Sequence, residues 1–347
     1  MNAIRNLMLT TSMLALAGVA LAGAAKAAEA PDVVVSIKPL HSLVASVMEG
    51  VGEPALIVEG GASAHTYSLK PSNARKLQSA DLVFWTGPGL EAFLAKPLQS
   101  LASGAEVVEL DKAPGLRLLP FREGGAFETH DHGDDGDHHA DAHDDHGDDD
   151  HGDDGHAHDE HVHASDEHAD HDHAGFDMHL WLDPTNAKAL TAEIARALAA
   201  ADPANAARYQ ENATKLEARL DALDQEIRTA VAPVKDKPFV VFHDAYQYFE
   251  KYYGLKVAGS ITVSPETVPG ADRISEIHKK VGDLGATCVF AEPQFEPKLV
   301  KVVTEGTSAK AGTLDPEGAT LAEGPELYFD LMRAMTGALQ DCLGGQQ

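Results

Sequence analysis

The chain has 347 residues, enough for two domains of ordinary size, and 55 acidic against 27 basic side chains give it a formal net charge of −28. That charge is unevenly spread: residues 128–173 hold nineteen carboxylates and no Lys or Arg, which leaves −9 for everything else. A body this mildly acidic offers no basic face, so nucleic acid is excluded as a partner.

One positive charge at Arg5 precedes an apolar run from Leu7 to Leu21, and Ala25-Lys26-Ala27 fits an A-x-A cleavage site. Residues 1–27 therefore read as a secretory signal peptide cut after Ala27. The run falls short of the roughly 20 apolar residues a membrane span needs. With no cysteine at the cleavage site and no other run of that length, the mature chain is expected to be periplasmic, without a membrane anchor, and monomeric. Cys288 and Cys342 are the two cysteines. Two thiols in an exported chain usually pair, and they lack the close spacing of a thiolate metal site. Closing so long a loop contributes roughly 4 kcal/mol on the chain-entropy model.

After the signal, Val33-Val34-Val35-Ser36-Ile37 is a β-branched run suited to a buried parallel strand. A helix is expected from Pro39 to Glu49, a strand over Pro54 to Val58, a helix over Pro71 to Ser79 and a strand over Asp81 to Trp85. Leu90 to Leu101 reads as a helix and Ala105 to Leu110 as the next strand. Strands alternating with helices at this spacing predict a mostly parallel α/β sheet covered on both faces.

The segment from Glu128 to His173 interrupts this pattern. It holds fourteen histidines, at 130, 132, 138, 139, 143, 146, 151, 156, 158, 161, 163, 168, 171 and 173 (His130, His132, His138, His139, His143, His146, His151, His156, His158, His161, His163, His168, His171, His173). With almost no apolar residues it buries too little surface to offset its ordering entropy. Imidazole and carboxylate at this density predict a disordered, multivalent collector of Zn²⁺ or a neighbouring metal.

Regular structure resumes at Met178-His179-Leu180-Trp181-Leu182-Asp183-Pro184, read as strand-like, followed by a helix from Thr185 to Ala201. A longer helix is predicted from Pro203 to Val231, with Pro203 in its first turn. Its apolar residues Tyr209, Ala213, Leu216, Leu220, Leu223, Ile227 and Val231 form one stripe roughly 40 Å long. Such a helix can serve as a rigid spine. A second α/β set begins at Phe239-Val240-Val241-Phe242-His243, continues through Lys256 to Ile261 and Cys288 to Ala291, and ends with a strand over Ala309 to Leu314. A helix from Pro325 to Leu339 closes the chain. The expected organisation is an α/β lobe over 28–201, a linker helix over 203–232 and a second α/β lobe over 237–347. Sites belong in the crevice beyond the strand ends.

Five histidines lie outside the insertion. His41 and His278 fall inside predicted helices, whereas His65, His179 and His243 stand where an apolar run meets a turn. Three such residues beside a histidine-laden insertion point to a shared metal.

The motifs Gly61-Ala62-Ser63-Ala64-His65-Thr66-Tyr67-Ser68-Leu69-Lys70-Pro71-Ser72, Met178-His179-Leu180-Trp181-Leu182-Asp183-Pro184, Phe242-His243-Asp244-Ala245-Tyr246 and Phe290-Ala291-Glu292-Pro293-Gln294 occur in that order. Together they resemble the zinc-binding proteins of bacterial high-affinity zinc importers, within the metal-receptor cluster of solute-binding proteins. The resemblance spans essentially the whole mature chain. It implies two Rossmann-like lobes joined by a long rigid linker helix, with the metal site in the interlobe cleft. It also implies His65, His179 and His243 as imidazole ligands of Zn²⁺, and a membrane permease with its cytoplasmic ATPase as partners. In manganese- and iron-binding relatives the position of His243 is typically a carboxylate, and three neutral imidazoles suit zinc better than manganese. Similar zinc receptors often carry Glu just before the first histidine. Here that residue is Ala64, so the fourth position falls to water or to Asp315, which aligns with a ligand carboxylate of the manganese relatives. The alternatives are a periplasmic zinc buffer or chaperone and a zinc hydrolase. An enzyme is not expected, because no H-E-x-x-H base accompanies the histidines.

Overall fold

The computed structural model of the chain describes residues 30–122, 175–262, 265, 269–283, 285, 287–295 and 298–344. The expected signal peptide at 1–27 and the histidine-rich insertion at 128–173 lie outside them.

Two four-stranded sheets carry the fold. The first contains β1 (Val33–Val35), β2 (Ala55–Leu56), β3 (Leu82–Trp85) and β4 (Glu106–Glu109), all parallel in the order β2-β1-β3-β4. Its connecting helices are α1 (Lys38–Val47), α2 (Pro71–Ser79) and α3 (Ala92–Leu101). The second contains β5 (Pro238–His243), β6 (Lys256–Thr262), β7 (Cys288–Ala291) and β8 (Lys310–Thr313), again parallel, in the order β6-β5-β7-β8. Its helices are α6 (Gln247–Tyr253), α7 (Ala271–Asp283), α8 (Lys298–Thr304) and α9 (Leu327–Leu343). Central strands such as Val33–Val35 and Leu82–Trp85 are buried at every residue, which is why they read as unbroken apolar runs and not as alternation. In both sheets the strand order reverses beside the first strand of the set, and ligands of doubly wound folds bind beyond the carboxyl ends at such reversals.

Between the sheets run α4 (Pro184–Ala201) and the spine α5 (Ala206–Val231). All seven residues of the predicted stripe, Tyr209 to Val231, are buried. The spine packs against α1, α4 and α9. It starts three residues later than expected. Asp202 accepts hydrogen bonds from the Asn205 side chain at 2.7 Å and from the Tyr209 hydroxyl at 2.9 Å, which closes a turn around Pro203 and leaves that proline outside the helix. Residues 180–182 also depart from expectation. Leu180–Leu182 forms a short 3₁₀ turn and not a strand, because the Trp181 indole is drawn to the Pro316 carbonyl at 2.9 Å and Asp183 immediately caps α4. The expected strand over Pro54 to Val58 shortens to two ladder residues, although Ile57 and Val58 still donate to Val35 and Ser36 at 2.9 Å each.

One apolar core runs from β1 and α1 through α4 and α5 to Phe239, Phe290 and α9. The helix α9 contacts α1, α5 and β8, and the Cys288–Cys342 disulfide ties it to β7. A smaller cluster, including Val240, Phe242, Ile261 and Ile277, covers the other face of the second sheet. The lobes are thus joined by shared packing as well as by the spine, and close-packed interiors resist wide hinge opening.

Candidate metal centre

His65, His179 and His243 come from three separate segments and meet in the cleft. His65 sits in the loop after β2, where its N–H donates to the Ser63 hydroxyl at 3.2 Å. His179 precedes the 3₁₀ turn at Leu180, and His243 is the last residue of β5, at the strand-order reversal of the second sheet. One ligand atom from each residue lies within 4.8 Å of the others. His179 Nε2 stands 3.3 Å from His65 Nε2 and 3.2 Å from His243 Nε2.

The tautomers follow from the other ring nitrogens. His179 Nδ1 meets Asp177 Oδ1 at 2.8 Å, and His243 Nδ1 meets Glu292 Oε1 at 2.7 Å. A carboxylate only accepts, so each Nδ1 carries the hydrogen and each neutral ring turns a bare Nε2 lone pair inward. Two lone pairs facing each other at 3.2 Å make no hydrogen bond. They do span a coordination edge: nitrogen ligands at the usual zinc distance of about 2.0–2.1 Å, placed tetrahedrally, lie about 3.3–3.4 Å apart. Carboxylate-backed imidazoles are also the usual outer support of metal-binding histidine.

The surroundings are acidic and buried. Asp177, His179, His243, Glu292 and Glu317 are all buried, and one carboxylate oxygen each of Asp177, Glu292 and Asp315 has no hydrogen-bond partner among the described residues. Burial, reinforced by the two neighbouring imidazoles, holds His65 well below the ordinary histidine range. At His243 burial also disfavours the cation, but the Glu292 carboxylate and its hydrogen bond outweigh it, and the net direction is upward. Burial pushes the Glu317 carboxyl up to about 8, against the Ala64 N–H and His243. Buried carboxyl groups around three imidazoles make a pocket whose chemistry suits a cation.

Asp315, the other candidate ligand, stands outside the three-histidine group. Its Oδ1 accepts from Gly318 N–H at 2.8 Å, Gln294 Nε2 at 3.0 Å and Glu317 N–H at 3.2 Å, so it builds the turn after β8. His41 and His278 donate to the Pro54 and Glu305 carbonyls at 2.9 and 2.8 Å, as helix histidines with local partners.

Sequence reasoning did not assign Asp177, Glu292, Glu317 or Arg122. The first two were legible as acids beside the histidine motifs, Asp177 two residues before His179 and Glu292 just past a strand end. Arg122 carried no signal. It pairs with Asp244, next to His243, and with Glu250 of α6. Pro120 bridges Phe176, and the Tyr248 hydroxyl accepts from Leu119 N–H at 3.1 Å while donating to the Asp177 carbonyl at 2.8 Å. The two roots of the insertion are therefore fastened to α6 and to the residues that support two of the three imidazoles.

Residues 33–342 match the family described as zinc-uptake complex component A, periplasmic. The chain is 56% identical over 321 residues to the high-affinity zinc uptake system protein ZnuA of Brucella abortus, covering 92% of this chain and 94% of that one. It is 42% identical to the protein of the same name from Paracoccus denitrificans, over 91% and 93% of the two chains. Among solved structures, the periplasmic zinc-binding protein TroA from Treponema pallidum superposes with a TM-score of 0.70 at 19% identity, over 90% of this chain and 99% of that one, a likeness of fold. The chain belongs to the family of periplasmic zinc-uptake complex component A.

Proposed function

We propose that this chain is a periplasmic zinc receptor that captures Zn²⁺ with high affinity and delivers it to the permease of an ATP-driven importer. The observation that carries this reading is the pair of bare Nε2 atoms facing one another at 3.2 Å between carboxylate-backed rings. His65, His179 and His243 are the proposed ligands, with Zn²⁺ as cargo. An all-imidazole set favours zinc over manganese, whose hard oxygen preference it does not serve. Asp177 and Glu292 orient the rings. The histidines of 128–173 gather zinc weakly near the cleft, and the shared core confines release to loop and local movements.

Calorimetric titration with Zn²⁺ and Mn²⁺ tests this, on the intact chain and on a form lacking 128–173. One tight zinc site is expected to survive the deletion while the weaker ones disappear. Equal affinity for the two metals, or loss of the tight site with the insertion, contradicts the reading.

A further inference from the structure

Three imidazoles occupy three corners of a tetrahedron and leave the fourth open. On the His65 side the loop cannot fill it: Ala64 presents a methyl group and a backbone N–H. That N–H points at a carboxylate from the other lobe, with both oxygens of Glu317 standing 3.4 Å away. A hydrogen bond this long is weak, and one donor shared between two oxygens leaves most of the carboxylate's acceptor capacity unused. Yet Glu317 is 6% exposed, and water does not compensate it freely. His243, Glu292 and Asp315 lie within electrostatic reach of it. A buried, under-satisfied carboxyl group with free acceptor capacity is a ready partner for a cation.

The backbone beneath Glu317 is held from several sides. Asp315 takes three donors into the turn, Trp181 donates to the Pro316 carbonyl, and the buried Lys38 ammonium donates to the carbonyls of Gly318, Ala319 and Leu321 at 3.1–3.2 Å. Lys38 opens α1 in the first lobe, so the turn of the second lobe is held across the cleft. Like Asp315, Glu317 stands outside the three-histidine group, so binding the ion requires its side chain to turn away from the Ala64 N–H.

We propose that Glu317 is the fourth ligand of the cleft ion, giving one carboxylate oxygen to the dication held by His65, His179 and His243. This rests on the zinc-receptor reading above. It assigns Asp315 to the turn and Glu317 to the metal. Because Glu317 and His65 come from different lobes, the ion then bridges the β8 turn and the His65 loop, and it leaves only when that bridge breaks.

The test uses the full chain loaded with its first equivalent of metal. Zinc affinity is read by chelator competition, and geometry is read from the visible absorption of Co²⁺ at the same site. E317Q, nearly isosteric, is expected to weaken first-equivalent zinc binding by about 10- to 100-fold and to shift the Co²⁺ band. E317D keeps an oxygen donor one methylene shorter and is expected to lose less affinity. It takes the same two readings if E317Q does not fold. Wild-type affinity and an unshifted band in E317Q, or both changes appearing in D315N instead, overturn the assignment. H243Q separates the two levels: if it binds the first equivalent as the wild type does, the receptor-site reading fails, whatever Glu317 does.

Discussion

In the first sheet, Glu91 reaches from the loop after β3 to the residue that follows β1, taking the Ser36 hydroxyl at 2.5 Å. It also accepts from the Thr86 N–H at 3.2 Å, the Thr86 hydroxyl at 3.0 Å and the Gly87 N–H at 3.0 Å. In the second sheet, Glu292, just past β7, does the same for the last residue of β5, but that residue is His243. Strand order and the place of the acid match; the partner differs. Hydroxyls and amides consume the Glu91 carboxylate and seal the reversal point of the first lobe. An imidazole consumes one edge of Glu292 and turns its second nitrogen toward the cleft. The same position in a repeated fold thus closes on itself in one lobe and faces the cleft in the other.

The largest effect expected from breaking this contrast is at His243 itself. H243Q removes one of three imidazoles and should lower zinc affinity by more than the ~100-fold attributed to losing an outer support, as measured by competition titration. Next come the paired acids. E292Q should cost about 10- to 100-fold in zinc affinity, because the ring loses its orienting acceptor. E91Q should leave affinity near wild type and instead cost about 1–3 kcal/mol of stability for the unsatisfied donors, as read by denaturant unfolding. Equal effects of the two substitutions on zinc would erase the distinction between the lobes.

The smallest effect is in pH. Metal binds the neutral ring, so a proton on any ligand histidine competes with it. His65, held low by burial and its neighbours, brings no proton to displace near neutrality. Burial opposes a proton on His243, but Glu292 prevails and the pKa is raised, so His243 takes up a proton before His65 as pH falls. Zinc affinity should therefore decline from about pH 7.5 to about pH 5.5, beginning above the ordinary histidine range near ~6.5. E292Q removes the upward push and should move the onset to lower pH. Calorimetry at a series of pH values reads both, and a flat profile contradicts the role of the imidazoles.

Much of this was legible in the residues. The apolar runs at Val33–Val35 and Phe239–Phe242 fixed two buried parallel sheets, and the stripe from Tyr209 to Val231 fixed the spine, because burial periodicity is written locally. The three histidines stood out because polar groups at strand ends lack a packing explanation. What stayed hidden is either too short to show a period or set by particular side-chain contacts that periodicity does not encode. The helices α6 and α8, seven residues each, are too short for a periodic signal. The start of the spine turned on Asp202 binding Tyr209, and the 3₁₀ turn at Leu180 on Trp181 finding a carbonyl 135 residues away. Glu317 was invisible for the same reason: only the fold brings its carboxylate to the Ala64 N–H.

Anomalous X-ray diffraction at the zinc edge, on crystals of the zinc-loaded chain, tests the convergence of the imidazoles most directly. A strong peak is expected about 2.0–2.1 Å from the Nε2 atoms of His65, His179 and His243 together. A zinc-loaded crystal whose cleft shows no peak within bonding distance of those three atoms contradicts it.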